Sequence, residues 1–254
     1  MTNTGRCILI VLKMMTEEIE LTPIEKEIDS LLRQAGYFIH AYRSIEALNL
    51  LQKAEELMAQ NEVKWQVKSA VYRNLGQANI QMGHHEKGLQ FLSAAYDCTE
   101  DGNDKAALAG MLGMYYLESG KQQEAMEFAD KALQTATAPE LKSSPYQIQG
   151  AIANSEGNYP KAIELMNKAA ELAEEAHSYL DLAMIIMDIS SIFMNMGKPE
   201  TALSEIHRAE RYVKECHNLD LYVRCAVREA SILYKMGKDQ EAKTLIIALD
   251  SQKN

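Results

Sequence analysis

The chain has few of the features that mark several common protein classes. Its 254 residues include four cysteines, Cys7, Cys98, Cys216 and Cys225, and none of them forms a CxxC pair. That excludes a disulfide framework and the usual zinc spacings, and it fits a reducing cytoplasm. Five prolines impose few obligatory breaks. Basic residues are in deficit, 26 against 36 acidic ones, and the formal charge of -10 repels phosphate backbones and anionic bilayers. With no local basic patch, neither nucleic acid nor membrane is an expected partner. The one apolar run near the start, from Cys7 to Leu12, is far shorter than the roughly 20 residues a membrane-spanning helix needs. It is also short for a secretory core and is followed by Lys13, Met14 and Met15 rather than by a small-residue cleavage site. Because Met14 or Met15 opens an ordinary polar start, residues 1–21 are expected to be disordered or a mis-called start. No Gly-rich phosphate loop, GxSxG elbow or HExxH motif occurs.

What is present is repetition. Met82-Gly83-His84-His85-Glu86-Lys87-Gly88 has counterparts in Ser119-Gly120-Lys121-Gln122-Gln123-Glu124-Ala125 and in Glu156-Gly157-Asn158-Tyr159-Pro160-Lys161-Ala162. Two more copies run from Met196-Gly197 to Ala202 and from Met236-Gly237 to Ala242. The glycines at 83, 120, 157, 197 and 237 are 37, 37, 40 and 40 residues apart, a real period.

Apolar residues recur with helical spacing on both sides of each glycine, so the glycine reads as a left-handed helix C-cap and each unit as a helical hairpin. Pro160 and Pro199 follow the turn, where proline costs no intrahelical bond. Seven residues before the first three turns stand Gly76, Gly113 and Gly150, with Ser190 and Ala230 in that place later. These small residues, facing Gly88, Ala125, Ala162, Ala202 and Ala242, let paired helices approach closely.

A small residue in the first helix, a turn glycine and a small residue in the second, with Ala95, Ala132, Ala169 and Ala209 seven further on, resemble the tetratricopeptide repeat. The resemblance covers about residues 24–250. It implies an all-α, right-handed superhelical solenoid of about six hairpins, with units longer than the family's usual 34 residues. Ala47 and Ala54 mark a degenerate first unit whose turn lacks glycine, and Thr22-Pro23-Ile24-Glu25 has the form of a capping box at the start of the array. Residues 22–254 are thus expected to form a single solenoid domain, with Asp101–Asp104 and Thr137–Glu140 as short connectors. Its last helix lacks a polar cap, leaving residues such as Ile246 open to self-association.

In this architecture one face of each first helix lines the concave surface and can be read from helical spacing. The second unit places Arg73, Asn74 and Gln77 there, with Ile80 and Gln81. The third offers Met114, Leu117 and Glu118, and the fourth Gln147, Asn154 and Ser155. Met184, Met187, Ser191, Met194 and Asn195 come from the fifth, and Arg224, Arg228, Ser231, Tyr234 and Lys235 from the last. Flexible methionines suit a surface that adapts to varied apolar side chains, and amides can hold a ligand's backbone. The competing assignment for each methionine is packing between helices.

His84-His85-Glu86 lacks a spaced third ligand, and Cys216-His217 with Cys225 matches no zinc spacing, so neither metal nor cofactor is expected. No constellation supports acid–base chemistry, and the chain is expected not to be an enzyme. The leading expectation is a cytoplasmic scaffold or adaptor that holds a protein or peptide in the concave groove. A regulatory sensor of a signalling peptide that controls an effector is a second reading. The third is a module that self-assembles through its C-terminal unit.

Overall fold

The computed structural model describes residues 21–216 and 218–251, and the side chains of residues 216, 250 and 251 are not among those described. The expectations for residues 1–20, Cys7 and His217, and for the Cys216 thiol, lie outside this description. Twelve α-helices and no strand occur among the described residues, and none of the helices is long and apolar enough to cross a membrane.

The chain divides into two compact units, one ending at Thr99 and one beginning at Glu100. The first holds α1 (Pro23–His40), α2 (Ser44–Gln60), α3 (Trp65–Gln81) and α4 (His85–Cys98). The second holds α5 (Gly102–Glu118), α6 (Gln122–Thr135), α7 (Ser143–Ser155) and α8 (Tyr159–Glu175), then α9 (Tyr179–Asn195), α10 (Pro199–Cys216), α11 (Leu219–Lys235) and α12 (Asp239–Ser251). A short 3-10 turn over Pro139–Lys142 precedes α7, so Pro139 opens a turn in what the sequence presented as a plain connector. Consecutive helices pair as hairpins, two in the first unit and four in the second.

The turns form as the glycines foretell. Gly83, Gly120, Gly157, Gly197 and Gly237 have φ between 70° and 79°, a region that a Cβ disfavours. In each case the residue after the glycine reaches back to a carbonyl of the preceding helix, as in Asn158 N–H to Ala153 O at 2.9 Å. The degenerate first hairpin makes the same turn without glycine. Tyr42 takes φ 55° there, and Arg43 N–H donates to Phe38 O at 2.8 Å.

Close approach of paired helices follows from the small residues. A Cβ built on Gly76 would stand 3.0 Å from the carbonyl oxygen of Gly88 and 2.6 Å from Cγ of Leu92, and one on Gly88 would meet Cγ1 of Ile80 at 2.4 Å. The helices can lie this near only because these side chains are missing. Around such crossings Ile28, Leu51 and Val71 are wholly buried in the first unit, and Ile185, Ile186, Ile192 and Ile206 in the second.

Within each unit, successive first helices touch: α1 with α3, then α5 with α7, α7 with α9, and α9 with α11. Successive second helices make no comparable contact. A stack in which one set of helices is closer together curves toward that set, so the first helices form the inner side of each unit. The entry to α1 is fixed by the expected capping box, in which Thr22 and Glu25 exchange hydrogen bonds. Glu25 also accepts from Lys64 N–H at 2.9 Å, tying the start of α1 to the start of α3.

Candidate functional site

The inner face of the second unit is anchored by observed contacts rather than by periodicity alone. Arg228 on α11 reaches α9, where its Nη1 donates to the carbonyl oxygen of Met187 at 2.7 Å and to Oγ of Ser191 at 2.6 Å. Its Nη2 lies 3.4 Å from Oδ1 of Asp188, and Gln147 on α7 donates to the other oxygen of that carboxylate at 2.9 Å. One polar ladder therefore crosses three consecutive first helices. Toward the glycine turns, Asn195 Nδ2 donates to Oδ1 of Asn154 at 3.1 Å.

Helical spacing extends each anchor into a stripe. On α9 the stripe is Met184, Asp188, Ser191 and Asn195; on α7 it runs through Gln147 and Asn154; on α11 it joins Arg224, Arg228, Ser231 and Lys235. Arg224, Asn195 and Tyr234 are exposed. Met114 and Leu117 on α5, and Met184 and Met194 on α9, are half-buried, each with part of its side chain packed on a core cluster. In the first unit Arg73 on α3 is exposed, with Asn74 and Gln77 half-buried beside it. Gln81 serves that unit's own packing, accepting from Ser44 Oγ at 2.7 Å and donating to Ile39 O at 3.1 Å.

Met187 is a correction. Its side chain is 1% exposed and belongs to the core, whereas the sequence reading placed it on the groove. Leu182, Ala183, Ile185, Ile186, Ile189 and Ile192 are all buried as well, so α9 is covered around most of its circumference and its accessible stripe is narrow, widening only near Met194 and Asn195. Only the Met187 backbone carbonyl takes part, as an acceptor for Arg228.

Asp188 is the residue that the sequence reading missed. Its signal was the period: it lies 40 residues before Arg228, the spacing of the later turns, and 41 after Gln147, one residue off that spacing. Positions at or next to the same register of adjacent units stack, so an amide, a carboxylate and a guanidinium become neighbours.

Residues 106–138, spanning most of the α5–α6 hairpin, match the tetratricopeptide repeat family model. That hairpin, one of six helical hairpins among the described residues, is similar to a tetratricopeptide repeat. The repeat protein's fold is similar to aspartyl phosphate phosphatase F from Bacillus subtilis, with a TM-score of 0.64 at 15% identity over 90% of this chain and 70% of that one. It is similar to a Rap protein complexed with competence and sporulation factor, with a TM-score of 0.66 at 15% identity over 89% of this chain and 76% of that one. NprR in complex with its cognate peptide NprX gives a TM-score of 0.68 at 16% identity, over 97% of the repeat protein and 72% of NprR. No curated protein sequence matches the chain.

Proposed function

We propose that the inner face of the second unit, formed by α5, α7, α9 and α11, binds a peptide or an extended segment of a protein, and that the chain acts as a cytoplasmic scaffold or regulator rather than as an enzyme. The observation that carries this reading is the Gln147–Asp188–Arg228 ladder flanked by the half-buried Met114, Met184 and Met194. Amides, a hydroxyl and a held ion pair offer directional bonds to a peptide backbone, and the thioethers accept apolar side chains of varied shape. These groups bind; they do not make a nucleophile–base pair. The similarity to folds solved with bound peptides supports the same reading, and among its finer forms favours a sensor whose ligand is a signalling peptide. End-to-end association has its own support in Ile246 on α12, which is 45% exposed.

A synthetic pool of randomised octapeptides, with the retained peptides identified by mass spectrometry, tests the proposal. The wild-type chain is expected to retain a subset of the pool. Met184→Glu with Met194→Glu is expected to weaken that retention about tenfold or more while helical circular dichroism is unchanged, because both side chains have room to reach solvent. Undiminished retention by a folded double variant would remove this face as the site.

A further inference from the structure

The first and last hairpins treat their outer sides differently. In the first unit Val67, Val71 and Leu75 of α3 belong to one core cluster with Ile28 and Leu51 of the first hairpin. Their counterparts on α1 stand 41 residues earlier, the distance from Tyr42 to Gly83, and are Lys26, Ser30 and Gln34, all exposed. Tyr37 takes the place of the buried Ala78, and its bulk would hold an incoming hairpin off. The side of α1 on which a hairpin could pack is therefore polar and uneven, as a terminal cap requires.

The last hairpin does the reverse. Ala183 and Met187 on α9 and Ile206 on α10 are at most 1% exposed, in one cluster with Leu221 and Cys225 of α11, the helix that covers them. Their counterparts 40 residues on are all apolar: Val223 is half-buried, Val227 is 48% exposed and Ile246 is 45% exposed. Tyr234, also exposed, continues the stripe of Val223 and Val227 along α11. This stripe lies to one side of Arg224, Arg228 and Lys235, so it is distinct from the inner face. The same positions that a following hairpin buries in the fifth repeat keep their apolar character in the sixth, and the shape that fits them is another helical hairpin.

Resting on the self-association reading of α12, we propose that this face is an isologous interface: two copies of the chain meet last hairpin to last hairpin about a two-fold axis and form a closed dimer. Head-to-tail stacking would instead set Val227 and Ile246 against Lys26, Ser30 and Gln34 of the next copy, burying polar groups with no apolar partner surface. The hairpin Leu219–Ser251 carries five basic and five acidic residues, so it meets its own copy without local net repulsion although the chain's formal charge is -10. Two hairpin faces make an interface at the small end of the range for specific dimers, and a micromolar dissociation constant is expected.

Light scattering of the full chain from about 1 to about 300 µM reads the assembly. The mass is expected to rise and level off at twice that of the monomer. Val227→Asp with Ile246→Asp, both at exposed positions, is expected to weaken association about a hundredfold with helical circular dichroism unchanged, and Tyr234→Lys alone about tenfold. Tyr37→Asp, on the first hairpin, is expected to leave the dimer as it is. A mass that climbs past two copies, or assembly lost with Tyr37→Asp, overturns the two-fold inference in favour of head-to-tail stacking and leaves self-association standing. A dimer undisturbed by the folded Val227, Ile246 and Tyr234 variants places the contact elsewhere and overturns it too. A monomer at the highest concentration removes the self-association reading along with the inference, and peptide binding is untouched by either result.

Discussion

Ser190 donates a hydrogen bond to the carbonyl oxygen of Ala202 at 2.7 Å, at the crossing where three earlier hairpins have glycine. In those hairpins an added Cβ would lie 3.0, 3.2 and 3.3 Å from the matching carbonyls of Gly88, Ala125 and Ala162. Serine succeeds in the fifth hairpin because its hydroxyl turns a crowded approach to a buried carbonyl into a bond. At these four crossings the requirement is met by two chemistries, no side chain or one that donates, while the last hairpin carries the small Ala230 there.

The crossings should therefore rank by what an added methyl meets. Gly88→Ala drives Cβ against Cγ1 of Ile80 and the Gly76 carbonyl, and is expected to cost about 1–3 kcal/mol even after the gain in helix propensity. Gly150→Ala meets the flexible side chain of Met166 at 3.0 Å and is expected to be much milder. Ser190→Ala should cost about 1 kcal/mol for the lost bond. Urea midpoints of the three variants give the order directly, and a Gly88→Ala protein as stable as the parent would refute the packing account.

Glu25 should make the first unit acid-sensitive. The residue is 1% exposed, and the backbone N–H of Lys64, followed by that of Thr22, holds its carboxyl below the ordinary value of 4.5. A carboxylate whose pKa is lower folded than unfolded stabilises the fold fully above the unfolded value, and that contribution is lost as pH falls through the folded value. Glu25→Gln is expected to be less stable than the parent at pH 7, with the gap narrowing as pH falls below about 4.3, the unfolded reference. Thermal midpoints at pH 7, 5 and 3 check this, and a gap that stays constant contradicts it.

The hairpins were legible because their signal is backbone chemistry that is the same wherever it occurs. A glycine at the end of a helix announces a left-handed residue, and five of them at one period announce an array. Tyr42 shows the limit of that signal, since it adopts the same conformation without the residue type that betrays it. The candidate site was legible only as stripes. Met184 and Met187 look alike at helical spacing, and it is the apolar cover around α9 that sends one toward the inner face and the other into the core. Asp188 reads in sequence as a charge in the apolar middle of a helix whose other carboxylate, Asp181, lies in the first turn. Its meaning lies on α7 and α11, a full period away in each direction, and only the stacking of units brings Gln147 and Arg228 to it.

Cys225 tests the core of the last two hairpins from the other side. It lies on α11, 2% exposed, with Sγ directed at the carbonyl oxygen of Ile206 on α10 at 3.8 Å. Burial, reinforced by the charges of Glu210 and Glu229, pushes its thiol up to about 11. The reactive species is the thiolate, so at pH 8 only about one thiol in a thousand is ionised, and the surrounding side chains block a reagent from reaching it. Iodoacetamide followed by peptide mapping is expected to leave Cys225 unlabelled in the folded chain and to label it fully in urea. Across intermediate urea concentrations its labelling should rise with the loss of helical signal, because opening α10 from α11 is what exposes it. Labelling of Cys225 in the native state at the rate of a free thiol would mean that this contact between the last two hairpins opens readily, and the ladder through Arg228 on the same helix would then be too mobile to hold a guanidinium in place.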